Sequence, residues 1–477
     1  MTLLSCYKPD KTGFFRHRRL AGGYLVTGDT GNFDFLTDRE FKDFLSGCVK
    51  PGSAVHARLR DAGFLGGGAD VTALAAKWRR KNSFLFGGPS LHIVVLTRRC
   101  NHACSYCQSG SSASRSGKAD MTRPVADRVL DTIFSSPAPA LTVEFQGGEP
   151  ALNWPVLSYM VAAIENRAAK SGKKVIISLV SNLSVMTEAR LDFLLKRNVR
   201  ICTSLDGPQA LHNANRPFPG GNSHAMAVKW LKAIKKRTRG GAHGDALVTV
   251  TRAALSRWKE MVDEYVKLGT TGIFIRFLNP FGAAKRVWAS IGYSAAEYVA
   301  FYGKALDYIV ELNLSGKSSI MEHSARILLT KILTQGDPNF LDLRSPCGAG
   351  IGQMAYDYDG SVFTCDEGRM LAAMGDEAFR IGAAGPGKYG GIMANPALKS
   401  VVTASVTDIQ VSCASCAYKP YCGVCPVYNY AEHGDLFMHQ PGYRCAVYMG
   451  MFDHVFKLLR NKKVRGLFEK WANSKPA

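Results

Sequence analysis

Between about residues 91 and 312 the chain alternates short, β-branched apolar runs with longer stretches in which apolar positions recur every three or four residues. Short apolar runs bounded by turn residues predict strands, and a period near 3.6 predicts helices, so the alternation reads as βα repeats. The predicted strands are 91–97, 141–145, 175–180, 201–205, 247–251 and 273–277. Helical stretches fall between them at 125–135, 155–170, 188–197, 225–237 and 258–268. Six such units predict an α/β fold, an open partial (β/α)6 barrel of TIM-like type, with its chemistry at the C-terminal ends of the strands.

The pattern changes on either side of this core, which is placed at 86–315. Residues 1–85 form a small α+β unit: 23–36 reads as a hairpin, 38–46 as a short helix capped by Thr37 or Asp38, and 54–62 as a second helix. Such a unit is either a recognition domain or a cap over the barrel. Residues 316–346 read as a linker with a bridging helix. From Cys347 the alternation stops and Gly, Cys and Pro dominate, which marks a further domain over 347–455. A basic helix or tail over 456–477 follows.

At 46% apolar and 21% charged residues, the 477-residue chain has the composition of a globular protein rather than a disordered one. No apolar run is long enough to span a bilayer, and the first residues lack a signal-peptide core. A cytoplasmic protein without a membrane partner is expected. The formal net charge of +22 raises nucleic acid as a partner. Its lysines and arginines, however, fall on helix faces such as Lys229, Lys232, Lys235 and Lys236, or in the stretch 457–465, which has no interleaved aromatics for base stacking. Nucleic acid is therefore not the expected partner.

Thirteen cysteines in a reducing compartment argue for ligands rather than disulfides. Ten form ligand-like groups, while Cys6, Cys48 and Cys202 read as small buried hydrophobes. The densest group is Cys100-Asn101-His102-Ala103-Cys104-Ser105-Tyr106-Cys107, directly after the first predicted strand. Its C-x3-C-x2-C spacing supplies three thiolates for a four-iron, four-sulfur cluster and leaves the fourth iron open to a ligand. A zinc knuckle and scattered structural thiols are the alternatives. The loop resembles the signature of the radical S-adenosylmethionine (SAM) enzymes. That resemblance implies that the open iron chelates SAM and that its reduction yields a 5'-deoxyadenosyl radical.

Further strand ends fit the same resemblance. Gln146-Gly147-Gly148-Glu149 follows the second strand; its glycines permit close backbone approach and its carboxylate suits an ammonium group. By resemblance Gly147, Gly148 and Glu149 hold the amino group of SAM, Gln146 stands beside them, and Tyr106 presents its backbone to the adenine. Ser181 and Asn182 end the third strand and are assigned to the cofactor. The segment Ser204-Leu205-Asp206-Gly207-Pro208 resembles one found in enzymes with a SPASM extension, which places Ser204 near SAM and Asp206 near the substrate. It is also a good strand-terminating turn. Arg216 is assigned to a substrate carboxylate, with Arg252 and Arg276 as further candidates.

A second constellation comprises Cys347, Cys365, Cys413-x2-Cys416-x5-Cys422-x2-Cys425 and Cys445. Four neighbouring cysteines could wrap one zinc, but five residues between the paired cysteines is short for a zinc ribbon, and Pro426 after Cys425 resembles the ferredoxin run whose last cysteine serves another cluster. The set resembles the two-cluster SPASM domain. On that resemblance Cys413, Cys416, Cys422 and Cys445 hold an outer cluster and Cys347, Cys365 and Cys425 an inner one. The inner set has three thiolates, so its fourth iron is open, bound by another group, or absent with the whole cluster. The last gap is x2 where the family has x3.

The order of these segments resembles the radical SAM maturases of the His-Xaa-Ser repeat peptide system, and the N-terminal unit resembles the peptide-recognition domains fused to such enzymes. The implied function is hydrogen abstraction from a ribosomally synthesised precursor peptide, ending in a C–C, C–O or C–S cross-link. Implied cofactors are SAM and one SAM-binding plus one or two auxiliary [4Fe-4S] clusters, reduced by a low-potential donor such as flavodoxin or ferredoxin. Two alternatives accompany this reading: formylglycine formation of the anaerobic sulfatase-maturing type, and a non-catalytic basic iron–sulfur or zinc protein that binds nucleic acid.

Overall fold

The computed structural model describes residues 7–66, 70–110, 117–238, 244–334 and 336–474; Cys6 lies outside them. In the N-terminal unit the expected hairpin is β2 (Gly23–Thr27) and β3 (Phe33–Leu36), and β1 (Arg16–Leu20) pairs antiparallel with β2 on its other side. The Arg-His-Arg-Arg-Leu sequence of β1 has no apolar alternation, which hid it; Arg16 is buried through an ion pair with Asp29 at 2.7 Å. Thr37 caps the helix Asp38–Leu45 through a capping box with Glu40, and Ser53 caps Ala54–Asp61. Phe41, Phe44, Leu59 and Phe64 close over Val26 and Leu36 as a small core. A third helix, Val71–Lys81, was not anticipated and has no fully buried residue.

The barrel strands are β4 (Leu91–Val95), β5 (Ala140–Gln146), β6 (Lys174–Val180), β7 (Arg200–Ser204), β8 (Gly244–Thr249) and β9 (Gly272–Arg276), each parallel to the next. The helices Arg123–Phe134, Trp154–Ser171, Glu188–Lys196, Ser223–Arg237, Trp258–Leu268 and Ala295–Leu314 follow them in turn. Their starts obey local rules: Thr187 and Asn222 accept backbone N–H groups as caps, and Gly172 and Gly269 end helices in the left-handed conformation. In Ser223–Arg237, Trp230, Leu231 and Ile234 are buried while Lys232, Lys235 and Lys236 face solvent, so that basic run is a solvated face.

Both flanks of the barrel depart from the sequence reading by joining its sheet. β10 (Met321–Glu322) pairs with β9, and the helix His323–Leu333 after it buries Ala325, Leu328, Leu329 and Ile332, so this segment of the expected linker is core. β11 (Gln353–Tyr356) pairs parallel with β4, and β12 (Ser361–Phe363) and β13 (Arg380–Ala383) continue antiparallel, giving a ten-stranded sheet. The edge of β4 would otherwise present unpaired N–H and C=O groups beside the cysteine loop. The final helices, Tyr443–Leu459 and Lys462–Asn473, pack on Ala295–Leu314 and His323–Leu333, with Val464, Phe468 and Trp471 inward and the 462–463 lysines outward. No helix among the described residues is long and apolar enough to cross a membrane.

Candidate active site

The cysteine loop leaves β4 at the expected end of the barrel and is held there by backbone contacts. Ala103 N donates to Pro217 O at 2.9 Å and Ser105 N to Asn215 O at 3.0 Å, which ties the loop to the segment after β7. Gly148 N donates to Thr97 O and Glu149 N to Arg99 O, which ties it to the turn after β5. A Cβ at Gly147 would overlap Thr97 O and one at Gly148 would overlap Arg99 O, with the Cys100 Cβ at 3.0 Å. Both glycines are therefore required by the approach of this turn to the cysteine loop. Gly147 also has a φ of 149°.

Cys100, Cys104 and Cys107 line one cavity of about 440 Å³, a size suited to a small-molecule cofactor. Tyr106, Gln146, Gly148, Ser181, Asn182 and Ser204 share its wall, and so does Arg216. Gly147, Glu149 and Asp206 do not. Glu149, read as the acceptor for an amino group, is fully buried and accepts from Ser181 Oγ at 2.7 Å, Asn182 N at 2.7 Å and Ala151 N at 3.0 Å. It joins the ends of β5 and β6 rather than facing the cavity. Asp206, read as facing the substrate, is likewise fully buried; its carboxylate accepts from Tyr106 Oη at 2.6 Å, Arg216 Nε at 3.0 Å, Asn215 Nδ2 at 3.4 Å and Thr249 N at 3.1 Å. Buried and held by these four donors, it lies behind the cavity wall, with Arg216 between it and the thiols.

Arg216 is the end of this network that reaches the cavity. Its Nη1 stands 3.8 Å from Cys104 Sγ, and its guanidinium lies over the Tyr106 ring. Burial works against its charge, but Asp206 and Tyr106 hold its pKa above the ordinary value. Burial pushes the Cys100 thiol up to about 12 and raises Cys104, where Arg216 opposes it. Such thiols stay protonated until a metal displaces the proton. Burial lowers His102 to about 4, and neither of its ring nitrogens has a hydrogen-bond partner among the described residues. Three thiols on the wall of one cavity of this size, beside a close glycine backbone, have the chemistry to hold a cluster with a small cofactor on it.

Among the cavity residues that the sequence reading did not single out are Glu144 and Arg444. Glu144 accepts from Gln146 Nε2 at 2.6 Å and burial raises its pKa; its place two residues before Gln146, on the same face of β5, was the available signal. Arg444 lies next to Cys445 in sequence and reaches this cavity too. Of the arginines considered, Arg276 lines the cavity, whereas Arg252 pairs at the surface with Glu297 at 3.3 Å.

The seven remaining ligand-like cysteines divide in space. Cys413, Cys416, Cys422 and Cys445 line a second cavity of about 690 Å³, which Cys425 also reaches, and Cys416 and Cys422 pack against the core of the final helices. Cys347 and Cys365 are buried in a separate apolar cluster against which Cys425 packs. Arg444 and Tyr428 line both cavities. Among the described residues no three His, Cys, Asp or Glu side chains converge on a single ion, and their cysteines are free thiols. Cys48 is exposed and Cys202 half-buried against the first cavity, so neither is the buried hydrophobe expected.

Residues 94–262 match the family model described as the Radical SAM superfamily. The radical SAM cyclopropyl synthase TigE of Paramaledivibacter caminithermalis is 21% identical over 44% of this chain, which spans 45% of that relative. A cysteine-type anaerobic sulfatase-maturating enzyme of Clostridium perfringens is 24% identical over 58% of the chain and 74% of its own length. In fold, the chain is similar to anSMEcpe with bound AdoMet (TM-score 0.65, 17% identity, 80% of this chain, 99% of that one). It is also similar to Streptococcus suis SuiB bound to precursor peptide SuiA (TM-score 0.53, 13% identity, 88% and 96%).

Proposed function

We propose that this chain, a radical SAM enzyme, acts on a ribosomally synthesised peptide and closes a cross-link within it. One observation carries the proposal: the three-thiol loop and the turn at Gly148 meet on one cavity that also reaches the C-terminal cysteine region through Arg444 and Tyr428. SAM on a four-iron cluster supplies, when bound, a carbon-centred radical able to take hydrogen from an unactivated carbon.

The chain's own part is positioning. Cys100, Cys104 and Cys107 would hold the cluster, Gly148 with Ser181 and Asn182 would meet the cofactor, and Arg216 would set the charge beside Cys104. Asp206 and Tyr106 hold Arg216 in place. Glu144 and Arg276, on the wall of the same cavity, are offered to the peptide. In the C-terminal region Cys413, Cys416, Cys422 and Cys445 would hold one auxiliary cluster and Cys347, Cys365 and Cys425 another, in a unit of SPASM type. The unit over 1–85 is read as the peptide-docking part, 86–315 as the barrel, and a flavodoxin or ferredoxin as the electron source. Within peptide maturation, the His-Xaa-Ser repeat system is the subgroup we favour. Formylglycine formation is the second reading, favoured by the relative from Clostridium perfringens.

Co-expression with the small open reading frame beside its gene, followed by mass analysis of the peptide, tests this. Loss of two hydrogens with residues otherwise retained supports a cross-link. A carbonyl trapped by a hydrazide assigns formylglycine, and an unaltered peptide with SAM and reductant present overturns both.

A further inference from the structure

A third cavity, of about 220 Å³, opens where the N-terminal unit, the barrel and the C-terminal region meet. The turn between β2 and β3, the end of the helix Val71–Lys81, the end of the helix His323–Leu333 and the segment 406–422 enclose it. It shares Thr407, Lys419 and Cys422 with the second cavity and no residue with the first. Its charged residues are Asp29, Asp337, Asp408, Lys81, Lys331 and Lys419. Each carboxylate has a cation of its own: Asp29 pairs with Arg16 at 2.7 Å, Asp337 with Arg344 and Asp408 with Lys419. Lys81 and Lys331 are left over, with no ion pair among the described residues.

An ammonium group has three hydrogens to donate. Lys81 Nζ makes one long hydrogen bond, to Asp29 O at 3.4 Å, and lies over the Tyr421 ring at 5.7 Å from its centre. For Lys331 no hydrogen bond is found among the described residues. Both side chains are half-buried, and burial and the nearby Lys331 work together against the charge of Lys81. Two like charges on one cavity wall repel unless an anion lies between them, and partial enclosure makes that attraction stronger than it is in water. The volume sets the size of the anion. Pockets for drug-sized ligands run from about 300 to 1,000 Å³, so this smaller cavity suits a small oxyanion rather than a nucleotide.

We propose that this cavity binds one small oxyanion, bearing a phosphate or a carboxylate group, between the Lys81 and Lys331 ammonium groups. Bound there, the anion ties the N-terminal unit to the helix His323–Leu333 and to the segment 406–422. Because no residue of the first cavity takes part, the site stands or falls apart from the peptide-maturing reading.

The full-length chain, reconstituted with iron and freed of the excess, is titrated with inorganic phosphate and separately with acetate at constant ionic strength. Binding is read by calorimetry and by the midpoint of thermal unfolding. Wild type should bind one anion saturably and unfold at a higher temperature as the site fills, and the tighter of the two probes identifies the group. Lys331→Met and Lys81→Met should each weaken binding about tenfold or more, because each removes a charged hydrogen-bond donor. Lys331→Arg, which keeps the charge, and Lys232→Met, on the solvated face of Ser223–Arg237, should retain it. Absence of saturable binding by wild type overturns the proposal. Equal affinity in wild type and both methionine variants means an adventitious ion only, and overturns it too. If Lys331→Met does not fold, Lys81→Met decides alone, since its helix has no fully buried residue.

Discussion

Two regions of this chain gather thiols, and they do so differently. Cys100, Cys104 and Cys107 lie within eight residues of one loop at the end of β4, pinned by backbone bonds to the turns after β5 and β7. The C-terminal set spans Cys347 to Cys445 and is assembled by packing: Cys365 caps a helix beside β12, Cys425 precedes another helix, and Cys445 sits on a third. The first region is a local device on a rigid sheet, and the second depends on tertiary structure. Loss of a thiol in the first should therefore stop SAM chemistry outright, whereas loss in the second should uncouple that chemistry from its product.

The largest expected effect follows directly. Cys104→Ala removes about four irons per chain and reduces SAM cleavage to background, measured as 5'-deoxyadenosine. Cys422→Ala also removes about four irons, but SAM is still cleaved while the peptide stays unmodified. Equal loss of cleavage in both variants would erase the distinction between the regions. Asp206→Ala leaves the buried Arg216 charge uncompensated and should cost about 3–5 kcal/mol in denaturant unfolding. A cost below about 1 kcal/mol would mean that the network does not support the loop.

Smaller effects sharpen how the C-terminal region is tied to the rest. Tyr421 Oη donates to Gly31 O at 2.9 Å, so Tyr421→Phe should lower stability by about 1 kcal/mol without changing iron content. The smallest effect is a pH dependence at the same seam, where burial first, and then Lys331, lowers Lys81 to about 7. Between pH 7 and its ordinary 10.5 the unfolded chain holds this proton and the folded chain does not, so the contribution of Lys81 to stability grows as pH rises and is lost as pH falls through about 7. The stability of wild type minus that of Lys81→Met should therefore rise from pH 7 to pH 9; a flat difference would place Lys81 in water.

The contrast also explains what could be read from the sequence. Periodicity located all six barrel strands within a few residues, because each is a short apolar run with helices on both sides. The contiguous cysteine loop and the Gly147-Gly148 turn were legible for the same reason, since local spacing carries them. What escaped depends on distant partners. β1 is charged and makes sense only beside β2 and Asp29, and β11 reads as loop until it meets β4. Asp206 and Glu149 have the right residue types for ligands, but hydrogen bonds from Tyr106, Arg216 and Ser181 turn both inward. Arg444, next to Cys445 in the chain, acquires its meaning only once separate segments assemble the cavity wall.

The most direct test is to incubate the anaerobically reconstituted full chain with SAM and dithionite and to quantify 5'-deoxyadenosine against Cys104→Ala. Formation by the wild type and not by the variant is the expected result. No 5'-deoxyadenosine from a wild type carrying its iron would contradict the account at its centre.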